Sequence, residues 1–216
     1  KEYKIYDDSK NEVQRDISQI DISNEATSKG SYRHFMEKEI YEQPDAILNT
    51  IDGRVGGDDV LDNIFGLGSS EVFAKVKRIQ IVACGTSLHA GRVAANWLSA
   101  ISELPAQIDY ASEYRYRNPH VDEDSLLVTI SQSGETADTL AALRYGKEKN
   151  YLSTLTICNV PTSALARESD YSIFTNAGPE IGVASTKAFT TQLAALMLLT
   201  LSLAKSRNKN PKLRTR

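Results

Sequence analysis

The 216 residues are 41% hydrophobic and 25% charged, the balance of a globular chain able to bury one α/β core with appendages. A net charge of −3 argues against the basic excess with which nucleic-acid-binding domains neutralise phosphates, so no nucleic-acid partner is expected. Two cysteines, Cys84 and Cys158, are too few for a disulfide framework and read as small buried residues of a reducing compartment; a cytoplasmic location is expected, with no metal and no cofactor.

The chain opens on Lys1, not on methionine, and a piece of a longer protein is expected. Residues 3–6 and 12–17 flank the turn-like Asp7-Asp8-Ser9-Lys10-Asn11, which predicts a hairpin, and the polar run to Gly30 resembles a linker. Residues 32–50 place Tyr32, Phe35, Met36, Ile40, Ile47 and Leu48 at helical intervals, with Pro44 breaking or restarting the helix. His34, alone in that pattern, reads as a packed or surface histidine. Gly53, Gly56 and Gly57 mark a loop, and residues 59–76 read as short helical or irregular structure.

From Arg78 the pattern alternates. Strands are predicted at 79–83, 107–110, 126–130, 153–158 and 170–174, and helices at 88–102, from Ala137 onward, and at 163–168. SEYRYR at 112–117 reads as a short helix or loop with a solvated face. Residues 188–204 carry no charge, and their length is at the short end of the roughly 17–25 residues that span a bilayer. With Thr190, Thr191, Gln192, Thr200 and Ser202 inside the run, a buried core helix is expected and no membrane. The basic cluster at 205–216 reads as a solvated tail. Strands and helices alternating at this spacing predict an α/β fold, a parallel sheet with helices on both faces, whose strand-to-helix turns share one edge.

One turn stands out. LLVTI at 126–130 is an apolar, β-branched run suited to a strand buried on both faces, and it stops at Ser131-Gln132-Ser133-Gly134-Glu135-Thr136 before Ala137, Leu140, Ala141 and Leu143 resume helical spacing. Unpaired N–H groups and the dipole at a helix start favour an anionic oxygen. Simple capping, with Gly134 only permitting the turn, competes with this reading, although a cap needs one side chain where the turn offers Ser131, Gln132, Ser133 and Thr136. Cys84-Gly85-Thr86-Ser87 is a second hydroxyl-bearing turn, and Val183-Ala184-Ser185-Thr186 a possible third. Together they suit a phosphate on a polyhydroxylated ligand. Glu135 and Lys187 are the best-placed acid–base candidates, but either reads equally as a helix-start carboxylate or a surface lysine, and no complete catalytic set is visible. Neither a P-loop lysine motif nor a G-x-G-x-x-G fingerprint occurs.

Several of these segments resemble one family. CGTS at 84–87, SQSGETADTL at 131–140, ICNVP at 157–161 and EIGVASTKAFTTQL at 180–193, with KEIYEQP at 38–44 and ASEYRYR at 111–117, are similar to the sugar isomerase (SIS) domain of the glutamine–fructose-6-phosphate aminotransferases, also called glucosamine-6-phosphate synthases. The resemblance spans roughly residues 30–205. It implies a three-layer SIS domain with a five-stranded parallel sheet of flavodoxin-like type at 78–205. It also implies a helical extension at 30–77, a linker or hairpin from the end of a glutaminase region at 1–29 and a basic tail at 206–216. Sugar-phosphate contacts are implied at Ser87, Ser131, Gln132, Ser133, Thr136, Val183 and Ser185, with fructose 6-phosphate and glucosamine 6-phosphate as ligands and a homodimer as the assembly. No catalytic residue is carried over, because the family's isomerisation base, ring-opening histidine and Schiff-base lysine belong to a second SIS repeat that these residues lack, as they lack the glutaminase domain. A regulatory SIS module that senses a sugar phosphate, or another SIS isomerase or etherase, is the alternative. KEIYEQP and the absence of a basic helix-turn-helix favour the aminotransferase.

Overall fold

The computed structural model of the protein describes residues 4–14 and 27–210. In chain order these form β1 (Ile5–Tyr6), β2 (Glu12–Val13), α1 (Phe35–Tyr41), α2 (Gln43–Ile51), β3 (Val55–Gly56), β4 (Asp59–Val60) and α3 (Ser69–Phe73). The alternating part follows: β5 (Arg78–Ala83), α4 (Gly85–Trp97) running into a π-helical turn at Leu98–Ser102, β6 (Ala106–Tyr110), α5 (Ala111–Tyr114), β7 (Ser125–Ile130) and α6 (Ala137–Lys147). It closes with β8 (Ser153–Cys158), α7 (Ala164–Glu168), β9 (Tyr171–Phe174) and α8 (Lys187–Ser206).

The last five strands make one parallel sheet in the order β6-β5-β7-β8-β9, the flavodoxin-like arrangement expected. Every residue of β7 and β8 is buried, because these central strands are covered on both faces, and the hydroxyls of Thr129 and Thr156 pair with each other. Leu126, Val128 and Ile130 join Ile79, Ile81 and Leu155 in the larger core, under α3, α4 and α8. Val82 and Leu127 point the other way, into a smaller core closed by Ala111 and Tyr114 of α5, Ala142 and Leu143 of α6, and Leu165 of α7. Each fully buried aliphatic side chain contributes about 1.5–3 kcal/mol, so these two cores dominate stability. α6 lies so close to the sheet that a Cβ on Gly146 would come within 2.3 Å of Leu127 Cδ2.

α8 is the one helix among the described residues with the length and composition to cross a membrane, and 67% of its most apolar window is buried inside the protein. It packs against α4 and α2 with Leu196, Leu199 and Leu203 in the larger core. Pro44 stands in the first turn of α2 and separates it from α1, as a residue without an N–H should.

Elsewhere the structure departs from expectation. β1 and β2 pair antiparallel about Asp7, whose carboxylate accepts the N–H groups of Ser9 and Asn11; of the expected second strand, Gln14 is not in the ladder and residues 15–17 lie outside the described residues. The glycine-marked loop and the region after it contain a small hairpin, β3 with β4. α4 starts at Gly85, so Thr86 and Ser87 belong to a first helical turn and not to a loop before it. SEYRYR is not simply a solvated face: Tyr114 is buried and Arg117 reaches the buried Asp109 at 2.6 Å. The described part of the basic tail is docked: Lys205 bonds the Val60 carbonyl, Arg207 the Ser102 carbonyl and Asn210 the Ile101 carbonyl.

Candidate functional site

Ala83 of β5 and Ile130 of β7 are register partners, so the chain leaves the sheet at adjacent points into Cys84 and Ser131. β5 lies between β6 and β7, and the crossovers from these strands diverge there, which makes the gap between the two turns the switch point where open α/β sheets bind ligands.

The turn at 131–136 is braced from within. Ser131 Oγ lies 2.9 Å from Thr136 Oγ1 and accepts the N–H of Gly134 at 3.1 Å. Ser133 Oγ accepts the N–H of Glu135 at 3.2 Å. Gly134 is in the left-handed region at φ 69°, and a Cβ there would lie 2.1 Å from Ser163 Oγ, so glycine is required for both conformation and space. Thr136 is the N-cap residue of α6 yet makes no side-chain cap bond, its hydroxyl being turned to Ser131. The side chains of Ser87 and Gln132 have no hydrogen-bond partner among the described residues, and Ser133 spends only its acceptor. These side chains retain unspent donors on the two turns.

Neither acid–base candidate is free. Glu135 Oε1 accepts the N–H of Ala164 at 2.7 Å and thereby caps α7, a helix other than the one it precedes. Lys187 is buried, its Nζ 2.7 Å from Glu42 Oε2, and is not a surface lysine.

The third loop, between β9 and α8, is held by residues the sequence reading did not single out. Glu180 accepts the N–H groups of Thr186 and Ala188, both at 3.0 Å. The buried Glu39 accepts those of Ile181 at 2.6 Å and Gly182 at 2.9 Å. Val183 is left fully exposed and Ser185 half-buried, without a side-chain partner among the described residues. Asn159 links this loop to the first turn: its N–H donates to the Gln132 carbonyl, its Oδ1 accepts from Thr175 and Ala177, and its Nδ2 donates to the Gly178 carbonyl. KEIYEQP and ICNVP stood out only as shared motifs. Glu39 on α1 and Glu42 at its C-cap carried no sequence signal beyond the KEIYEQP motif.

Among the described residues no group of three or more histidine, cysteine or acidic side chains is placed to hold a metal ion. Burial raises the Cys158 thiol above its ordinary range, which makes it an inert core group. Broad concavities also open at the amino-terminal edge of the sheet, where Lys77 pairs with Asp124 and Arg78 with Asp122, each at 2.8 Å.

The SIS domain family model matches residues 72–202. The chain belongs to the SIS domain family. Its SIS domain and flanks are 58% identical to glutamine–fructose-6-phosphate aminotransferase (isomerizing) of Pseudomonas aeruginosa, over 93% of this chain and 33% of that protein. Identity to the enzyme of the same name from Pseudomonas syringae pv. tomato is 59%, over 88% of this chain and 31% of that one. The solved C-terminal domain of glucosamine-fructose-6-phosphate aminotransferase from Francisella tularensis superposes with a TM-score of 0.84 at 50% identity, covering 87% of this chain and 53% of that one. The chain thus spans about a third of the length of the curated relatives it matches.

Proposed function

We propose that this chain is the first SIS domain of the isomerase portion of a glutamine–fructose-6-phosphate aminotransferase, and that it binds the phosphate of fructose 6-phosphate or glucosamine 6-phosphate at the turn 131–136. The observation that carries the reading is the braced turn beside the switch point, with donors left unspent on Ser87, Gln132 and Ser133 and no side-chain cap on α6. The names of its relatives select the ligand class.

In the whole enzyme, glutamine would yield ammonia at a separate domain, and the ammonia would aminate fructose 6-phosphate during its isomerisation to glucosamine 6-phosphate. This chain's share is to bind and orient. Hydroxyl and N–H donors hold the phosphate, and Val183 and Ser185 meet the sugar. Proton movement between adjacent carbons needs a free base, and the candidates here are committed to structure. We place the protein in the cytoplasm as a homodimer, supported by its buried apolar helix and by exposed Tyr41, Tyr116 and Leu48. Sedimentation showing a strict monomer at high concentration would reject the dimer.

The deciding experiment is calorimetric titration with fructose 6-phosphate, glucosamine 6-phosphate and unphosphorylated fructose. Binding of both phosphates and not of fructose supports the proposal, whereas equal affinity for fructose rejects it.

A further inference from the structure

Glu39 lies on α1, more than thirty residues before the segment matched by the family model begins at 72. It is only 2% exposed, an unusual place for a carboxylate unless its oxygens are satisfied. Its partners come from a single distant loop. Oε1 receives consecutive backbone N–H groups, Ile181 at 2.6 Å and Gly182 at 2.9 Å, and Oε2 lies 3.5 Å from the Thr186 hydroxyl. Two successive N–H groups converging on one oxygen form an anion-binding concavity of the backbone, here filled by a side chain of the same protein. The fit allows no side chain at residue 182, where a Cβ would lie 2.5 Å from Glu39 Oε2. At the C-cap of the same helix, Glu42 pairs with the buried Lys187 at the start of α8. The loop carrying Val183 and Ser185 is therefore clamped from α1 at both ends of that stretch.

We infer that Glu39 is a positioning residue: by binding the Ile181 and Gly182 amides, it sets the Val183–Ser185 loop against the sugar part of the ligand, leaving the phosphate to the turn at 131–136. This inference rests on the sugar-phosphate reading above. Glu39 does not itself touch the ligand, since its carboxylate is buried and spent on the loop. The helical extension is then a working part of the site and not only a cover for the sheet.

The test compares Glu39→Ala and Glu39→Gln with the parent chain by amide hydrogen exchange and by titration with fructose 6-phosphate and inorganic phosphate. Glutamine keeps Oε1 as acceptor for both amides, and its amino group can donate to Thr186, so Glu39→Gln should behave as the parent. In Glu39→Ala the Ile181 and Gly182 amides should exchange at least about tenfold faster, with β7 amides unchanged. Affinity for fructose 6-phosphate should fall about tenfold with inorganic phosphate affinity held, a split that general destabilisation would not produce. Unchanged exchange at Ile181 and Gly182, or an equal fall for both ligands, overturns the inference. If the parent binds neither ligand, the sugar-phosphate reading fails and the exchange data alone decide whether Glu39 holds the loop.

Discussion

The Glu135 carboxylate accepts the backbone N–H of Ala164 at 2.7 Å, so the acidic residue of the polar turn is committed to starting the helix that follows β8. That bond, with the N–H of Leu165 donating to the Gly134 carbonyl, ties the turn to α7. Glu135→Ala should therefore cost about 0.5–2 kcal/mol of stability, as loss of a helix cap does, and leave sugar-phosphate affinity close to that of the parent. Denaturant melts and calorimetry on the same samples check both halves.

The same commitment predicts that the purified chain forms no glucosamine 6-phosphate from fructose 6-phosphate and excess ammonium. A coupled assay tests it. Turnover by the parent that disappears in Glu135→Gln would place a catalytic base in this chain and reverse the assignment.

Removing one hydroxyl from the turn should weaken the phosphate contact. Hydrogen bonds to charged groups are worth about 1.5–3 kcal/mol, so Ser133→Ala and Thr136→Ala should each lower affinity for fructose 6-phosphate by about tenfold to a hundredfold. If both variants bind as tightly as the parent, the hydroxyls serve only to shape the turn.

Gly134→Ala should be costly for two separate reasons. A side chain at φ 69° costs about 1–3 kcal/mol, and the new methyl would also meet Ser163 Oγ at 2.1 Å. Ser163→Gly in the same chain should restore part of the loss and leave the backbone share. Additive effects of the two substitutions in urea melts would show that the clash had been relieved by movement.

At high pH the weak point is the Tyr114–Tyr151 pair, whose hydroxyl oxygens are 2.6 Å apart. Burial is the main reason both phenols are raised above the ordinary tyrosine range. Because the native values exceed the unfolded value of about 10, the stability from keeping the pair neutral is complete below pH about 10 and declines as pH rises through the native values. The pair should ionise only as the protein unfolds. A tyrosinate absorbance titration of the parent and of Tyr151→Phe, run beside circular dichroism, follows the pair. Ionisation of the pair in fully folded protein would contradict the assignment.

The sheet was legible because burial on both faces leaves a simple trace, a short β-branched apolar run between turn residues. The 153–158 strand is found as predicted, and the strands at 126–130 and 107–110 gain one residue each at the start. The turn at 131–136 announced itself by its density of hydroxyls. Glu39 and Glu42 gave no comparable signal, since a glutamate in or just past a short helix looks like a solvated charge until distant residues reach it, loop N–H groups for Glu39 and the Lys187 ammonium for Glu42. The early start of α4 was missed because Gly85 does turn the chain, at φ 55°, but helical structure follows at once and takes in Thr86 and Ser87. Long-range pairing of polar groups has no period in sequence, whereas core packing does.

Asn159 depends on having one carbonyl and one amino group on the same side chain. Deamidation would leave the oxygen that receives Thr175 and Ala177 but replace the amino group facing the Gly178 carbonyl with a second, negatively charged oxygen. Two acceptors 2.8 Å apart repel, so a single hydrolysed amide would push the chain away at the entry to the third loop while its own N–H still held Gln132. Chemical ageing of this one side chain would thus uncouple two loops without disturbing a strand.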